Sequence, residues 1–262
     1  MELSLLRLGR WLRGGLGHVG NLADMAWAML RSIPRLGEVD LRILLNITLD
    51  QTRFSGTQAM LLTGTIATIL GGVSIIQSFS VLSGLADDLV GVFLVGLIVR
   101  ELGPLVTAVV LIGRSGTAMA TELGSMRLNG EIDVLLAHRI DPLLFVVLPR
   151  MLGAILAMFI LCAVFDLMGI LGGFAASMPL MDLSFALLRG RVLSALTNQD
   201  LFLTAAKTVL FGGATAFISC YFGLRVQRSP TELPRAVTRA VVTCLGVIFL
   251  VDGILAAFVY LL

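Results

Sequence analysis

A chain of 262 residues that is 57% hydrophobic and only 14% charged, with a mean hydropathy of +0.98, is too apolar for a water-soluble domain, which carries about 25% charge. The net charge of +2 arises from 19 basic and 17 acidic residues with no basic stripe, so a nucleic-acid binder is excluded, and the apolar content excludes a disordered chain. Five membrane spans of about 20 residues each fit this length with short connections.

The first element lies within residues 1–50. Leu5, Leu8, Leu12, Leu16, Val19, Leu22, Ala26, Leu30 and Ile33 recur at helical spacing, and Arg7, Arg10, Arg13, Asp24 and Arg31 fall on the opposite side. This pattern predicts a basic amphipathic helix lying in the membrane interface, softened at Gly14, Gly15, Gly17 and Gly20. The arginines interrupt every apolar run, so it is not a signal peptide.

Residues 51–262 read as a transmembrane domain. Phe54 to Ala86 contains no charge, and a helix of that length would measure about 50 Å against a hydrocarbon core of about 30 Å. The first span is therefore tilted, broken near Gly71-Gly72, or longer than the bilayer. Gly64, Thr68 and Gly72 form a small-residue face suited to close packing. The second span is expected at roughly 89–112, followed by a polar segment at 114–141. The third runs from about 143 to 177 and contains the pair Gly169 and Gly173. After a mixed loop at 178–200, the fourth occupies roughly 201–224 and the fifth roughly 236–262.

Arginine counts set the orientation. The N-terminal segment carries seven, the loop after span one has only Asp87 and Asp88, and the loops after spans two and four carry Arg114, Arg127 and Arg139, then Arg225, Arg228, Arg235 and Arg239. Arg189 and Arg191 after span three are a weak contrary signal. The alternation predicts a cytoplasmic N-terminus and a periplasmic C-terminus.

Enzyme motifs are missing. Lys207 is the only lysine, and Ala206 stands where a phosphate-cradling P-loop needs glycine. No HExxH or GxSxG occurs, and Cys162, Cys220 and Cys244 lie in apolar stretches without paired spacing. The informative residues are charges inside spans: Arg100 and Glu101 in the second, Asp166 in the third, Lys207 in the fourth and Asp252 in the fifth. Each costs about 2.5–3.5 kcal/mol at the bilayer centre and so faces a cavity or a partner. Arg100 and Glu101 point about 100° apart on a helix, so one is expected to line a cavity while the other pairs across helices. Lys207 and Asp252 fall at similar depth on consecutive antiparallel spans and are expected to pair, with Asp166 as a candidate third member. Between spans two and three, Ile132, Leu135, Leu136 and Ile140 form an apolar stripe on a short amphipathic helix that Pro142 ends. Such a helix can dock a soluble partner.

Glu101-Leu102-Gly103-Pro104, Gly113-Arg114-Ser115-Gly116-Thr117-Ala118, Thr121-Glu122-Leu123-Gly124-Ser125-Met126-Arg127, Glu131-Ile132-Asp133, Asp141-Pro142 and Pro149-Arg150 resemble the MlaE permease family in order and spacing. The likeness is densest over 100–177 and continues through Lys207, Pro230-Thr231, Thr238-Arg239 and Asp252. It implies an all-α polytopic permease of the bacterial inner membrane: an interfacial helix, five transmembrane helices and a cytoplasmic coupling helix at about 122–140. It further implies a homodimer working with a cytoplasmic ABC ATPase, which holds ATP and Mg²⁺, a periplasmic MCE-domain ring and a small STAS-type accessory protein. The implied cargo is phospholipid or a similar hydrophobic lipid moved between inner and outer membranes. Arg100, Glu101, Lys207 and Asp252 match the family's intramembrane charges. Glu122, Arg127, Glu131, Asp133, Leu135, Leu136 and Arg139 fall in the segment that contacts the ATPase, and this chain would carry no catalysis or cofactor of its own. Asp166 is an acidic residue in a stretch that is normally apolar in the family, and Gly130-Glu131 stands where Glu-Gln is usual. The rival reading is an ion-coupled secondary transporter or channel using Asp252, Asp166 and Glu101 as proton or ion sites.

Overall fold

The computed structural model describes residues 20, 22–29, 31–32, 41–82, 95–177, 190, 194–227 and 229–261. The expectations for Arg7, Arg10, Arg13, the glycines at 14–17, Asp87, Asp88, Arg189 and Arg191 fall outside these residues. The long apolar runs are helices, because in lipid each backbone N–H and C=O must find its partner within the segment. They are α1 (Leu41–Leu82), α2 (Val95–Leu128), the short α3 (Glu131–Ala137), α4 (Leu148–Ser177), α5 (Asn198–Leu224) and α6 (Leu233–Leu261). Five of them are long and apolar enough to cross a membrane, and no strand occurs among the described residues. The protein is an all-α, multi-pass membrane protein.

α1 passes unbroken through Gly71-Gly72. Its 42 residues measure about 63 Å, so it outruns the bilayer rather than bending within it. The two glycines serve contact with α4. A Cβ on Gly71 would overlap the backbone of Gly169, and one on Gly172 would overlap the backbone of Thr68. Small residues on both helices thus let the two backbones touch, as the spacing of Gly64, Thr68 and Gly72 suggests.

The interhelical contacts fix the register. Thr52 meets Gly153, Gly64 meets Met168 and Gly72 meets Ala176, so α1 and α4 run parallel. Thr204 meets Val99, Gly116 meets Ser219 and Gly223 meets Ala120, so α2 and α5 also run parallel. Asp166 against Gly103 and Arg150 against Glu122 make α4 antiparallel to α2. The core lies where these layers meet: Leu111 and Ile112 of α2, Met158 and Leu161 of α4, Phe211 of α5 and Ile248 of α6 are all buried.

The second span and the polar segment after it differ from expectation. The helix does not end at 112. It continues to Leu128 through a π-turn at Ile112–Gly116, where Gly116 packs close to α5: a Cβ there would sit 3.0 Å from Ser219 Oγ. The helix expected over about 122–140 is two pieces. Residues 122–128 finish α2, Gly130 turns the chain at φ 78°, and α3 spans Glu131–Ala137. Only glycine takes that left-handed conformation freely. Arg139 then leaves α3 at φ 59°. Pro142 starts the next helical segment rather than stopping the previous one: the π-turn Leu143–Val147 comes directly after it and leads into α4, and proline tolerates a helix start because it lacks an N–H.

Residues 22–29 are helical and lie on the α3 end of the bundle. Met29 is buried in a cluster with Leu123, Val146, Val147 and Cys220. The Ser32 hydroxyl donates to Asp141 Oδ2 at 2.9 Å, and Asp141 Oδ1 accepts the Leu143 N–H at 2.9 Å. Trp27 stays exposed, with Arg31 5.0 Å from its ring centroid.

Candidate functional site

The intramembrane charges gather in the half of the bundle opposite α3. Arg100 and Glu101 stand on a π-turn, Val95–Leu102, which opens α2 before Gly103-Pro104. Single π-turns of this kind recur at functional positions. α5 runs alongside and satisfies two of its carbonyls: Thr204 Oγ1 donates to Val99 O at 3.3 Å, and Lys207 Nζ donates to Arg100 O at 3.1 Å.

Lys207 is fully buried; its ammonium donates to Arg100 O and to Glu101 Oε2 at 2.9 Å, and it forms an ion pair with Asp252 Oδ1 at 2.8 Å whose angle does not make a hydrogen bond. The expected Lys207–Asp252 pair is therefore present. Its third member is Glu101, and Asp166 is not part of it. Asp166 projects from α4 against Gly103 of α2.

Arg100 does not turn away from Glu101 to line a cavity by itself. It reaches Asp200 on α5, with NH2 2.9 Å from Oδ1. Asp200 and Lys207 stand two turns apart on α5, so two long side chains diverging from neighbouring positions of α2 both land on that helix. Arg100 Nε is buried without a hydrogen-bond partner, and the side chains of Arg100 and Glu101 remain about a quarter exposed. This leaves them as the open edge of the network, whereas Lys207 is closed.

Asp200 is a member that sequence reasoning misses. It stands three residues after Thr197, whose N–H it accepts at 3.1 Å, at the start of α5. An acidic residue there reads as an ordinary helix cap. Only its second oxygen, on Arg100, reveals the further role.

At the other end, Glu122 pairs with Arg150 of α4 at 2.7 Å. Arg150 is buried and also donates to Val146 O at 3.0 Å, while Glu122 is more than half exposed. Arg127 pairs with Asp133 across the turn before α3, and Glu131 accepts from Asn129 at 3.3 Å. Of the expected apolar stripe, Ile132 faces the bundle, Leu135 is half-buried, and Leu136 and Ile140 are exposed together with Val134. Arg139 and His138 are exposed beyond the end of α3. A cleft of about 790 Å³ beside this turn is lined by Arg127, Asp133, Gly130, Arg225 and Gln227.

Residues 48–258 match the family model of the permease MlaE. The chain belongs to the MlaE permease family. A protein of Synechocystis sp. named a probable ABC transporter permease is 32% identical over 78% of both chains. The intermembrane phospholipid transport system permease protein MlaE of Haemophilus influenzae is 27% identical over 86% of this chain and 87% of its own. The chloroplastic protein TRIGALACTOSYLDIACYLGLYCEROL 1 of Arabidopsis thaliana is 29% identical over 87% of this chain and 67% of its own. The MlaE match takes in every member of the charge network, the Glu122–Arg150 pair and α3, and begins seven residues into α1.

Proposed function

We propose that this MlaE-family permease is the membrane-spanning subunit of an ABC-type transporter that moves phospholipid, or a similar hydrophobic lipid, between the inner and outer membranes of a bacterium. The observation that carries this reading is the continuity of α2. One helix of 34 residues, about 50 Å long, joins the π-turn bearing Arg100 and Glu101 to the turn that holds α3. A push on α3 is delivered along a single rod to the intramembrane charges, and Glu122–Arg150 hands part of it to α4.

In this mechanism the N-terminus and α3 face the cytoplasm and the C-terminus faces the periplasm. A separate ATPase holds ATP and Mg²⁺ and docks on the exposed Val134, Leu136 and Ile140. This chain supplies no cofactor and no catalysis. Two copies enclose the lipid path, with the exposed α6 face of Val242, Phe249, Leu250, Ile254 and Phe258 against the partner copy or lipid acyl chains. A periplasmic MCE-domain ring receives or delivers the lipid, and a small STAS-type protein accompanies the ATPase. ATP binding shifts α3 between two positions, and the paired charges move with α2 as a unit. Arg100, whose side chain is about a quarter exposed, meets a lipid phosphate at the open edge of the network. An ion-driven mechanism is not favoured, because Glu101 and Asp252 are both engaged by Lys207 and the relatives are named as ABC transporter permeases.

Affinity purification of the chain in mild detergent tests the proposal. A co-purifying ATPase with a phosphate-binding loop and bound phospholipid is the expected result. A chain that purifies alone and retains no phospholipid would refute it.

A further inference from the structure

α4 brings to the charge network one acidic side chain that the ion pairs leave out. Asp166 Oδ1 is buried and has no hydrogen-bond partner. It lies where the π-turn of α2 passes into regular helix: a Cβ built on Gly103 would sit 2.6 Å from Asp166 Oδ1 and 3.0 Å from the Ile98 carbonyl oxygen. Both oxygens thus border the space that a side chain at position 103 would fill.

The charged and titratable groups on the surrounding elements are few. α2 brings Arg100 and Glu101, and α5 brings Asp200 and Lys207, all engaged with one another. The described stretch of α1 facing α4, Ala59–Gln77, carries none. On α4 itself Cys162 is one turn away. No cation among the described residues is paired with Asp166. An ionised carboxylate here would set negative charge against a carbonyl oxygen with no donor between them. A carboxyl that keeps its hydrogen is a donor, and a carbonyl has two lone pairs, one of them free for it.

We propose that Asp166 is a proton-bearing positioning residue, whose carboxyl donates to the Ile98 carbonyl and holds the π-turn that aims Arg100 and Glu101 at α5. The turn is then held by two helices, by Thr204 and Lys207 of α5 on Val99 and Arg100 and by Asp166 of α4 on Ile98.

Infrared difference spectroscopy of the intact permease–ATPase complex in lipid nanodiscs, wild type minus Asp166→Asn, tests the proton directly and without reference to transport. A carbonyl stretch of a protonated carboxyl at neutral pH, shifted in D₂O and absent from the variant, is expected. Asparagine keeps a donor in the same place, so transfer of a fluorescent phospholipid by Asp166→Asn should stay near wild type. Asp166→Leu, in a complex that still assembles, should lose about two- to tenfold, the cost of one hydrogen bond. Absence of the protonated-carboxyl band, or a loss in Asp166→Asn equal to that in Asp166→Leu, would overturn the inference. If the wild type itself transfers no lipid, the reading of function fails while the infrared band still decides the proton.

Discussion

Lys207 of α5 and Asp252 of α6 are joined by a 2.8 Å ion pair inside the membrane-spanning bundle, and Glu101 of α2 completes the shell of the same ammonium. One lysine therefore ties three helices together. The arrangement predicts an asymmetry. Lys207→Met strands two carboxylates and should cost at least the roughly 3–5 kcal/mol of a broken buried pair. Asp252→Leu leaves Lys207 with Glu101 and should cost less. The double variant should be milder than the sum of the two singles. Thermal unfolding of the purified complex in detergent measures all three, and strict additivity would contradict the pair.

The Glu122–Arg150 pair is asymmetric in another way. Arg150 is buried and Glu122 is more than half exposed. Arg150→Met should lower the unfolding temperature clearly, because it also removes the bond to Val146 O and leaves Glu122 beside apolar surface. Glu122→Gln keeps an acceptor for the buried Arg150 but removes its countercharge, so it should cost less than Arg150→Met and more than the loss of a fully exposed pair. Equal effects from the two would mean that the pair is not held as described.

Backbone contact between α1 and α4 predicts a steric penalty. Gly172→Val places a branched side chain where Thr68 backbone lies, and overpacking of this kind costs about 1–3 kcal/mol. Gly96→Ala, at a position with open space, is the control and should be nearly silent. Yield and thermal stability of the two variants compare them.

The five spans and their small-residue faces are legible in the sequence because apolar runs and glycine spacing are local signals. Three things are not. Gly113-Arg114-Ser115-Gly116 reads as a loop, but Gly116 is where α2 presses on Ser219, so the polar run continues a helix. Asp200 carries the local signature of a cap, and its tie to Arg100 depends on a contact 100 residues away in the chain. The apolar stripe of α3 has helical period, but only its start meets the bundle, so Ile132 is buried while Leu136, one turn further on the same face, is exposed. Pairing of Lys207 with Asp252 is readable from depth alone, whereas the third member, Glu101, requires the register of α2 against α5.

That difference in burial separates two variants that the stripe alone treats alike. Leu136→Asp changes an exposed position and should leave the permease folded while it loses ATPase binding. Ile132→Asp places a charge in a buried site and should reduce folding and yield. Size-exclusion profile and co-purified ATPase distinguish them.

The most direct test of the proposed mechanism is ATP-dependent phospholipid transfer by the complex reconstituted in liposomes, comparing wild type with Leu136→Asp. The mechanism predicts transfer that requires ATP and the ATPase in the wild type, and a folded Leu136→Asp permease that neither stimulates ATP hydrolysis nor moves lipid. Transfer driven by an ion gradient without ATP, or undiminished ATP-dependent transfer by Leu136→Asp, would contradict it.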